Sequence, residues 1–493
     1  MLAVDECQAG GARLPSRLTA DMDGGAPDPA EAGTARPEYA PPMPPSRPDG
    51  IGFMRIWYRA RRNLFSALPA KLYRALLTEV RTPWYNSYMP NQPDLVRRVL
   101  VEQPDDFPKS EVVRRTIGDL LGQSVFVTNG EKWKRQRRII DPSFEGGKLR
   151  QTFEPMLGAA EEMAGRLALY ADGAPVEIEF ETSHGAADVI FRTLFSQPIT
   201  TEAATRVFHA FRRYQMAAPM LSPADLMRLP GWFPRLGPNR WKKGRAAREI
   251  RRLLMDFVEA RRGEIDRGQA PDDLATKIMT TRDPVTGDVF DEAEMADQMA
   301  IFFLAGHETS ASALAWAIYL VANAPEIQER LHAETAPVFA DRPDFSDLRR
   351  LPFTRDVFRE TLRLYPPVPM MIREAVCPER MRDKDVAPGS PVILSPWHLG
   401  RHERIWERPH VFDPDRWQTE AGRAQAREAW IPFSTGPRVC TGAAFGMQEG
   451  VLLLGMLSAR FRFAPVHGRV PEPMAHLTVR SRNGIWLSVT RRS

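Results

Sequence analysis

Phe433-Ser434-Thr435-Gly436-Pro437-Arg438-Val439-Cys440-Thr441-Gly442 carries one of only three cysteines in a chain of 493 residues. An apolar, helix-forming run from Ala443 to Leu454 follows, which sets Cys440 at the N-terminus of a helix. Partial positive charge and free N–H groups at such an end lower a thiol pKa. Gly436 and Gly442 allow the backbone turns that aim amides at a sulfur. Phe433 would shield that sulfur from water. A buried structural cysteine is the plain alternative. It accounts for the thiol but not for Phe433, Gly436, Arg438 and Gly442 spaced around it.

The other two cysteines, Cys7 and Cys377, are far away in sequence. Three scattered cysteines cannot make a disulfide framework or hold an iron–sulfur cluster, and no Cys-x-x-Cys-His is present for covalent haem. An apolar fraction of 43% and a charged fraction of 26% are ordinary for a globular protein. No uninterrupted apolar run is long enough to span a bilayer, and the N-terminus lacks a signal-peptide pattern. A soluble, cytoplasmic enzyme is expected. Residues 1–50 hold four Arg, eight acids, nine Pro and six Gly, and are expected to be disordered and dispensable. Residues 51–493 form the expected domain. The net charge of +5 conceals a basic body. No basic stripe with interleaved aromatics appears, so nucleic acid is excluded as a partner. Docking an acidic electron-transfer protein is the better use for the charge.

The stretch 51–77 interleaves Arg55, Arg59, Arg61, Arg62, Lys71 and Arg74 with apolar residues. It reads as a basic amphipathic helix, either packed on the body or lying against an anionic membrane. Trp84, Tyr85 and Tyr88 suggest short strands, and Asp94–Glu102 a helix. Further helical patterns cover 131–140, 147–170, 203–216, 240–268 and 274–280. The longest helix starts at Asp291, where Asp291-x-x-Glu294 can form a capping box, and ends before Pro325. Another spans Arg355 to Leu364 and stops at Pro366-Pro367. Strands fit Val392–Leu394, Phe461–Pro465 and Ile485–Val489. The fold class is mainly α with small β-sheets. No internal repeat and no Gly-rich phosphate or dinucleotide loop is visible, so no flavin or nicotinamide domain is fused on.

Three further groupings stand out. Ala305-Gly306-His307-Glu308-Thr309 falls in mid-helix, where glycine costs about 1 kcal/mol relative to alanine. Thr309 can bond back to the preceding turn and bend the ladder. His307 is expected in a core or solvent role. Glu360-x-x-Arg363 is a pair worth under about 0.5 kcal/mol in an isolated helix, and Pro414-Asp415-Arg416-Trp417 lies downstream. Trp133-x-x-x-Arg137 sets an indole N–H and a guanidinium on one helix face. Around them Lys132, Lys134, Arg135 and Arg138 make a dense basic run, read as the partner-docking surface.

In this order, the four motifs resemble those of the cytochrome P-450 family of haem-thiolate monooxygenases, across roughly residues 80–493. The resemblance implies a single large helical fold with haem b held non-covalently between the long helix and the Cys440-loop helix. Cys440 would be the axial iron ligand, whose thiolate donates electron density to the metal. Phe433, Gly436 and Gly442 would shape its loop. Arg438, Arg373, Trp133 and Arg137 would hold the haem carboxylates. Gly306 would give oxygen room, with Glu308 and Thr309 relaying protons. Glu360, Arg363 and Arg416 would form a buried ion network bracing the cysteine loop. Trp417 stands where the family more often has Phe.

The implied reaction inserts one atom of O2 into an apolar organic substrate. A separate ferredoxin or flavodoxin with its reductase would bring the electrons, NAD(P)H acting only through them, and the enzyme would be a monomer. Ile301, Phe302, Ala305, Val368, Met370 and Met371 are the candidate pocket lining. Residues 216–233, with Met216, Met220, Met227, Trp232 and Phe233, are a candidate lid. A fatty acid, a terpenoid and an aromatic all suit such a lining. A peroxygenase, an isomerase or dehydratase would not need Glu308-Thr309. A haem-based gas sensor would usually carry an output domain.

Overall fold

The computed structural model describes residues 38–492, apart from 49, 82–84, 146, 218–237 and 476. Trp84 and most of the candidate lid (Met220, Met227, Trp232, Phe233) lie outside the described residues. The helices that bear on the site are α1 (Phe53–Arg62), α2 (Gly130–Ile140), α3 (Ile178–Phe195), α4 (Glu202–Ala217), α5 (Glu292–Ala322), α6 (Pro352–Leu364) and α7 (Ala443–Arg460). The mainly helical architecture with small sheets agrees with the expectation.

Helix α5 runs through the centre of the molecule. Asp291 caps it, accepting from Glu294 N–H at 2.7 Å while the Glu294 side chain accepts from Asp291 N–H. That reciprocal cap satisfies donors a helix start otherwise leaves orphaned. At 31 residues α5 is about 46 Å long. Most of its side chains are buried on every side, as expected of a helix sheathed by others. Its C-terminal half is anchored by polar contacts within the core. Ser312 and Trp316 both donate to the Val479 carbonyl, at 2.6 and 2.9 Å. Trp316 also stacks on Tyr365 with centroids 4.0 Å apart.

Four strands, β1 (Leu77–Arg81), β2 (Asn86–Pro90), β3 (Met371–Glu374) and β4 (Pro391–Leu394), form a sheet in the order β1-β2-β4-β3. Arg373 pairs with Val392 in its register. A hairpin of β5 (Pro473–Ala475) and β6 (Val479–Ser481) lies beside α5. A three-stranded sheet joins Asp172–Glu177, Trp486–Arg491 and Phe461–Pro465.

Three local expectations change. The helix expected over 147–170 is two, Lys148–Gln151 and Phe153–Ala168, broken at Thr152, whose hydroxyl donates to the Leu149 carbonyl. A side chain competing for backbone groups interrupts a helix in this way. The helix expected over 94–102 widens into a π-turn at Arg98–Glu102. In the stretch 51–77 only Phe53–Arg62 is regular helix, followed by single 3-10 turns that bury Phe65 and Leu72.

Residues 38–48, grouped on composition with the N-terminal segment, lie against the body. Tyr39 and Met43 pack on the main core, Tyr365 donates to the Pro42 carbonyl at 2.7 Å, and Phe412 N–H donates to Tyr39. The aromatic and thioether side chains supply apolar area that their Pro-rich surroundings lack. Among the described residues no helix is long and apolar enough to cross a membrane.

Candidate active site

Between α5 and the loop before α7 lies a cavity of about 980 Å3. Cys440 is exposed, and the surface it exposes faces this cavity. The same holds for Ala305, which is exposed although it sits in the middle of a buried helix. Thiol and helix therefore face one internal space. Ile301, Phe302, Ala305, Val368, Met370 and Met371 all line it, as does exposed Met216 at the end of α4.

The cysteine loop is shaped by backbone contacts. Cys440 N–H donates to the Phe433 carbonyl at 2.9 Å, which closes the loop on itself. Gly436 has φ +73°, and a Cβ there would strike the Leu100 carbonyl, so glycine is required twice over. Gly442 differs: its φ is −88° and nothing lies within 4 Å of where its Cβ would be. The expected turn requirement does not apply to it. What it offers is clear space beside the sulfur, on the cavity wall.

Helix α7 starts at Ala443 with Gly442 as its cap, so Cys440 stands two residues ahead of the cap. Burial pushes the Cys440 thiol up, against the Gly442 N–H and the Arg137 guanidinium, which favour the thiolate. The helix end alone does not produce a thiolate here. A metal cation bound at the sulfur would supply the missing charge.

One rim of the cavity concentrates cations. Lys109, Arg137, Arg373 and Arg438 all line it together with Trp133. Lys109, Arg438 and Arg137 lie 5.5, 5.1 and 5.9 Å from the Trp133 ring. Burial drives the Lys109 ammonium well below its usual range, and Arg373, Arg438 and Arg137 push it the same way. Arg373 is lowered to about 10 by burial and then by Arg438. The Nε atoms of Arg373 and Arg438 are buried without a hydrogen-bond partner among the described residues. Desolvated, mutually repelling cations with orphaned donors fit a doubly anionic ligand edge. Haem, with two carboxylates and an iron to meet Cys440, matches both ends of the site.

Two guanidiniums of this rim have further work. Arg137 donates to Asp141 at 2.8 Å and to the Val439 carbonyl at 2.7 Å, tying α2 to the cysteine loop. Arg438 bonds the Pro104 carbonyl and sits 3.5 Å from Asp105. Lys109 escaped sequence reading because nothing around it in the chain marks it. Only the fold brings it to Trp133.

On α5 the Thr309 hydroxyl donates to the Ala305 carbonyl at 2.5 Å. Gly306 also serves packing, since a Cβ would collide with Ile190 of α3. Glu308 is buried and held by three groups from two other parts of the chain. Arg480 of β6 meets both its oxygens at 2.7 Å, Thr478 donates at 2.9 Å, and Gln215 of α4 donates as well. Burial opposes its charge, but Arg480 and these donors hold its carboxyl below the usual range. His307 points away from the cavity, bonded to Ser183 at 2.8 Å and packed on Phe303 and Phe208. Burial lowers it to about 4, so it is a neutral core histidine.

Below the cavity Glu360, Arg363 and Arg416 form one buried network. Arg363 donates twice to Glu360, at 2.9 and 2.7 Å, and to the Gly400, Pro409 and Val411 carbonyls. Arg416 reaches Glu360 at 3.3 Å and the Glu407 and Arg408 carbonyls. Trp417 stands edge-on to Trp406 and Trp430, and Trp430 in turn to Phe433, an aromatic path from the network to the cysteine loop. The basic run of α2 is mostly committed. Lys134, Arg135 and Arg138 pair with Glu131, Glu294 and Asp283. Lys132 is the exposed member with no acid partner among the described residues.

Comparison with known proteins agrees with this geometry. The family model described as Cytochrome P450 matches residues 57–487. Cyclooctatin synthase of Streptomyces melanosporofaciens is 31% identical over 87% of this chain and 91% of its own. Cyclooctat-9-en-7-ol 5-monooxygenase of the same organism is 31% identical, over 84% and 87%. Pentalenene oxygenase of Streptomyces avermitilis is 29% identical, over 89% and 95%. The chain therefore belongs to the cytochrome P450 family, as a haem-thiolate monooxygenase that uses haem b, O2, an organic substrate and electrons from a redox partner.

Proposed function

We propose that the enzyme hydroxylates a terpenoid with a largely hydrocarbon skeleton. The cavity lining carries this reading: Ile117, Val113, Leu64, Leu477 and Met474 line the cavity together with Phe302 of α5 and give it apolar surface. Two of the similar enzymes have names that begin with an alkenol and an alkene, which favours a terpenoid over a fatty acid or a simple aromatic. Haem b, when bound, supplies the redox-active iron that activates dioxygen. Cys440 would hold that iron through its sulfur, with Phe433, Gly436 and Gly442 forming the loop. Arg373, Arg438, Trp133, Arg137 and Lys109 would receive its carboxylates.

Thr309 Oγ1 is the last protein atom to hold the proton delivered to the oxygen site, with Gly306 and Ala305 leaving room beside it. Glu308, ionised against Arg480, is the relay residue next to Thr309 on α5. Glu360, Arg363 and Arg416 brace the cysteine loop. A ferredoxin or flavodoxin with its reductase brings the electrons, NAD(P)H acting only through them, and Lys132 on α2 meets the acidic partner. The enzyme works as a monomer in the cytoplasm, with α1 as a peripheral membrane contact: Met54 and Tyr58 are exposed one turn apart beside exposed Arg55 and Arg62.

A spin-state titration of the haem-loaded protein tests the substrate. Fatty acids, terpenoids, steroids and small aromatics are titrated while the Soret band is followed. A saturable shift confined to terpenoids is expected. A shift with fatty acids or aromatics and none with terpenoids would overturn the reading.

A further inference from the structure

The apolar cavity has one polar corner, and its composition is specific. Gln215 comes from α4, Thr478 from the β5–β6 hairpin and Arg480 from β6, and all three line the cavity. All three donate to the same carboxylate, that of Glu308. The carboxylate itself is covered, its side chain 3% exposed, whereas Arg480 is 23% exposed on the cavity side. Arg480 uses Nε and Nη2 on Glu308, which leaves Nη1 without a hydrogen bond among the described residues. Gln215 spends its amide nitrogen on Glu308, leaving its carbonyl oxygen as an acceptor. The corner thus offers the N–H groups of Arg480 Nη1 as donors and the Gln215 carbonyl as an acceptor, beside the hydroxyl of Thr478.

Its charge is balanced. Arg480 is paired with Glu308 in a bidentate bridge, so the corner presents polarity rather than net charge. A neutral group that both donates and accepts suits it; a carboxylate would have to compete with Glu308 for the same guanidinium. Arg212 also lines the cavity, but its guanidinium lies over the Phe180 ring at 4.8 Å.

We propose that Gln215, Thr478 and Arg480 form a subsite for a hydroxyl group of the substrate, so that the enzyme acts on a terpenoid that already carries an alcohol. This rests on the terpenoid reading above. It also sets a place in a reaction sequence: an earlier step that introduces an alcohol, by hydroxylation or by capture of water in a cyclisation, must supply the substrate. Sites built to bond a hydroxyl discriminate strongly against analogues that lack it, because their polar groups are then left unpaired.

The test uses the full-length holoenzyme and three matched ligands: farnesene, farnesol and farnesoic acid. Soret-shift titrations should give farnesol a Kd at least about tenfold lower than either of the others. Gln215→Leu and Thr478→Val should each reduce that preference about fivefold or more while leaving the farnesene Kd unchanged. The carbonyl spectrum checks that each variant remains folded around its haem. Equal binding of alcohol and hydrocarbon overturns the subsite while leaving the terpenoid reading intact. So does tighter binding of the acid, or a preference for the alcohol that neither variant alters. No shift with any of the three overturns the terpenoid reading, and the subsite with it.

Discussion

Arg363 and Glu360 face each other across one turn of α6 with both side chains wholly excluded from solvent, joined by two bonds of 2.9 and 2.7 Å. Neither charge has water to fall back on. Arg363→Ala would leave a buried carboxylate with Arg416 as its remaining cation, a loss of about 3–5 kcal/mol. Chemical denaturation should show the midpoint falling accordingly, and the purified variant should retain little haem. A stability change under about 1 kcal/mol would contradict the network's bracing role.

The same carboxylate gives the fold an acid limit. Burial opposes the Glu360 charge, but Arg363 and Arg416 outweigh it and hold the carboxyl below its usual value of 4.5. A lowered folded-state pKa contributes stability that is complete above the unfolded value and is lost as pH falls through the folded one. Thermal melts should therefore show stability dropping below about pH 4.5, and Glu360→Gln, less stable at neutral pH, should lose less of its own stability over that range.

Glu449 of α7 works in the opposite sense. It is fully buried, its Oε2 accepts from Ser310 at 2.5 Å, and Oε1 has no partner among the described residues. Burial raises its carboxyl to about 8, against the Ser310 bond. The folded protein then holds a proton that the unfolded chain releases above 4.5, so this group lowers stability as pH rises from there to about 8. Glu449→Gln should remove that slope, and melts at pH 5 and pH 8 should differ less in the variant than in the parent. An unchanged difference would mean that Glu449 is ionised in the folded state.

Much of this was legible in the chain because its signals are local. Asp291-x-x-Glu294 names the start of α5, and Glu360-x-x-Arg363 needs only one helical turn. The cysteine loop is contiguous. What escaped depends on long-range closure. Lys109 reaches Trp133 only through the fold, and Arg480 finds Glu308 across 172 positions. Gln215 joins them from a third direction, and no periodicity announces such a meeting. Gly442 was misread for a related reason. A glycine in a turn motif suggests a special φ, whereas here it is ordinary backbone beside open space. The break at Thr152 was hidden because its helix-breaking bond is made by one hydroxyl to a carbonyl three residues back.

Cys440 is the only described thiol on the cavity wall, so its removal has a spectroscopic signature. Cys440→Ala should abolish the thiolate-type carbonyl difference spectrum. Retention of that spectrum would remove Cys440 as the ligand.

Thr309 is the final prediction, because its geometry separates oxygen handling from electron supply. Its hydroxyl is bonded to Ala305 at 2.5 Å, one turn back on α5, and both residues line the cavity that Cys440 faces. Releasing that bond frees both the hydroxyl and the Ala305 carbonyl to hold water, at the cost of about one hydrogen bond, 0.5–1.5 kcal/mol. Thr309→Ala removes the hydroxyl without disturbing Glu308, which remains clamped by Arg480. Electron consumption with reduced partner should persist while product per electron pair falls several-fold and hydrogen peroxide rises to match. Thr309→Ser, which keeps the hydroxyl, should restore most of the coupling. Unchanged coupling in the alanine variant would take Thr309 out of the proton path, and equal uncoupling in both variants would assign the effect to the lost methyl group instead.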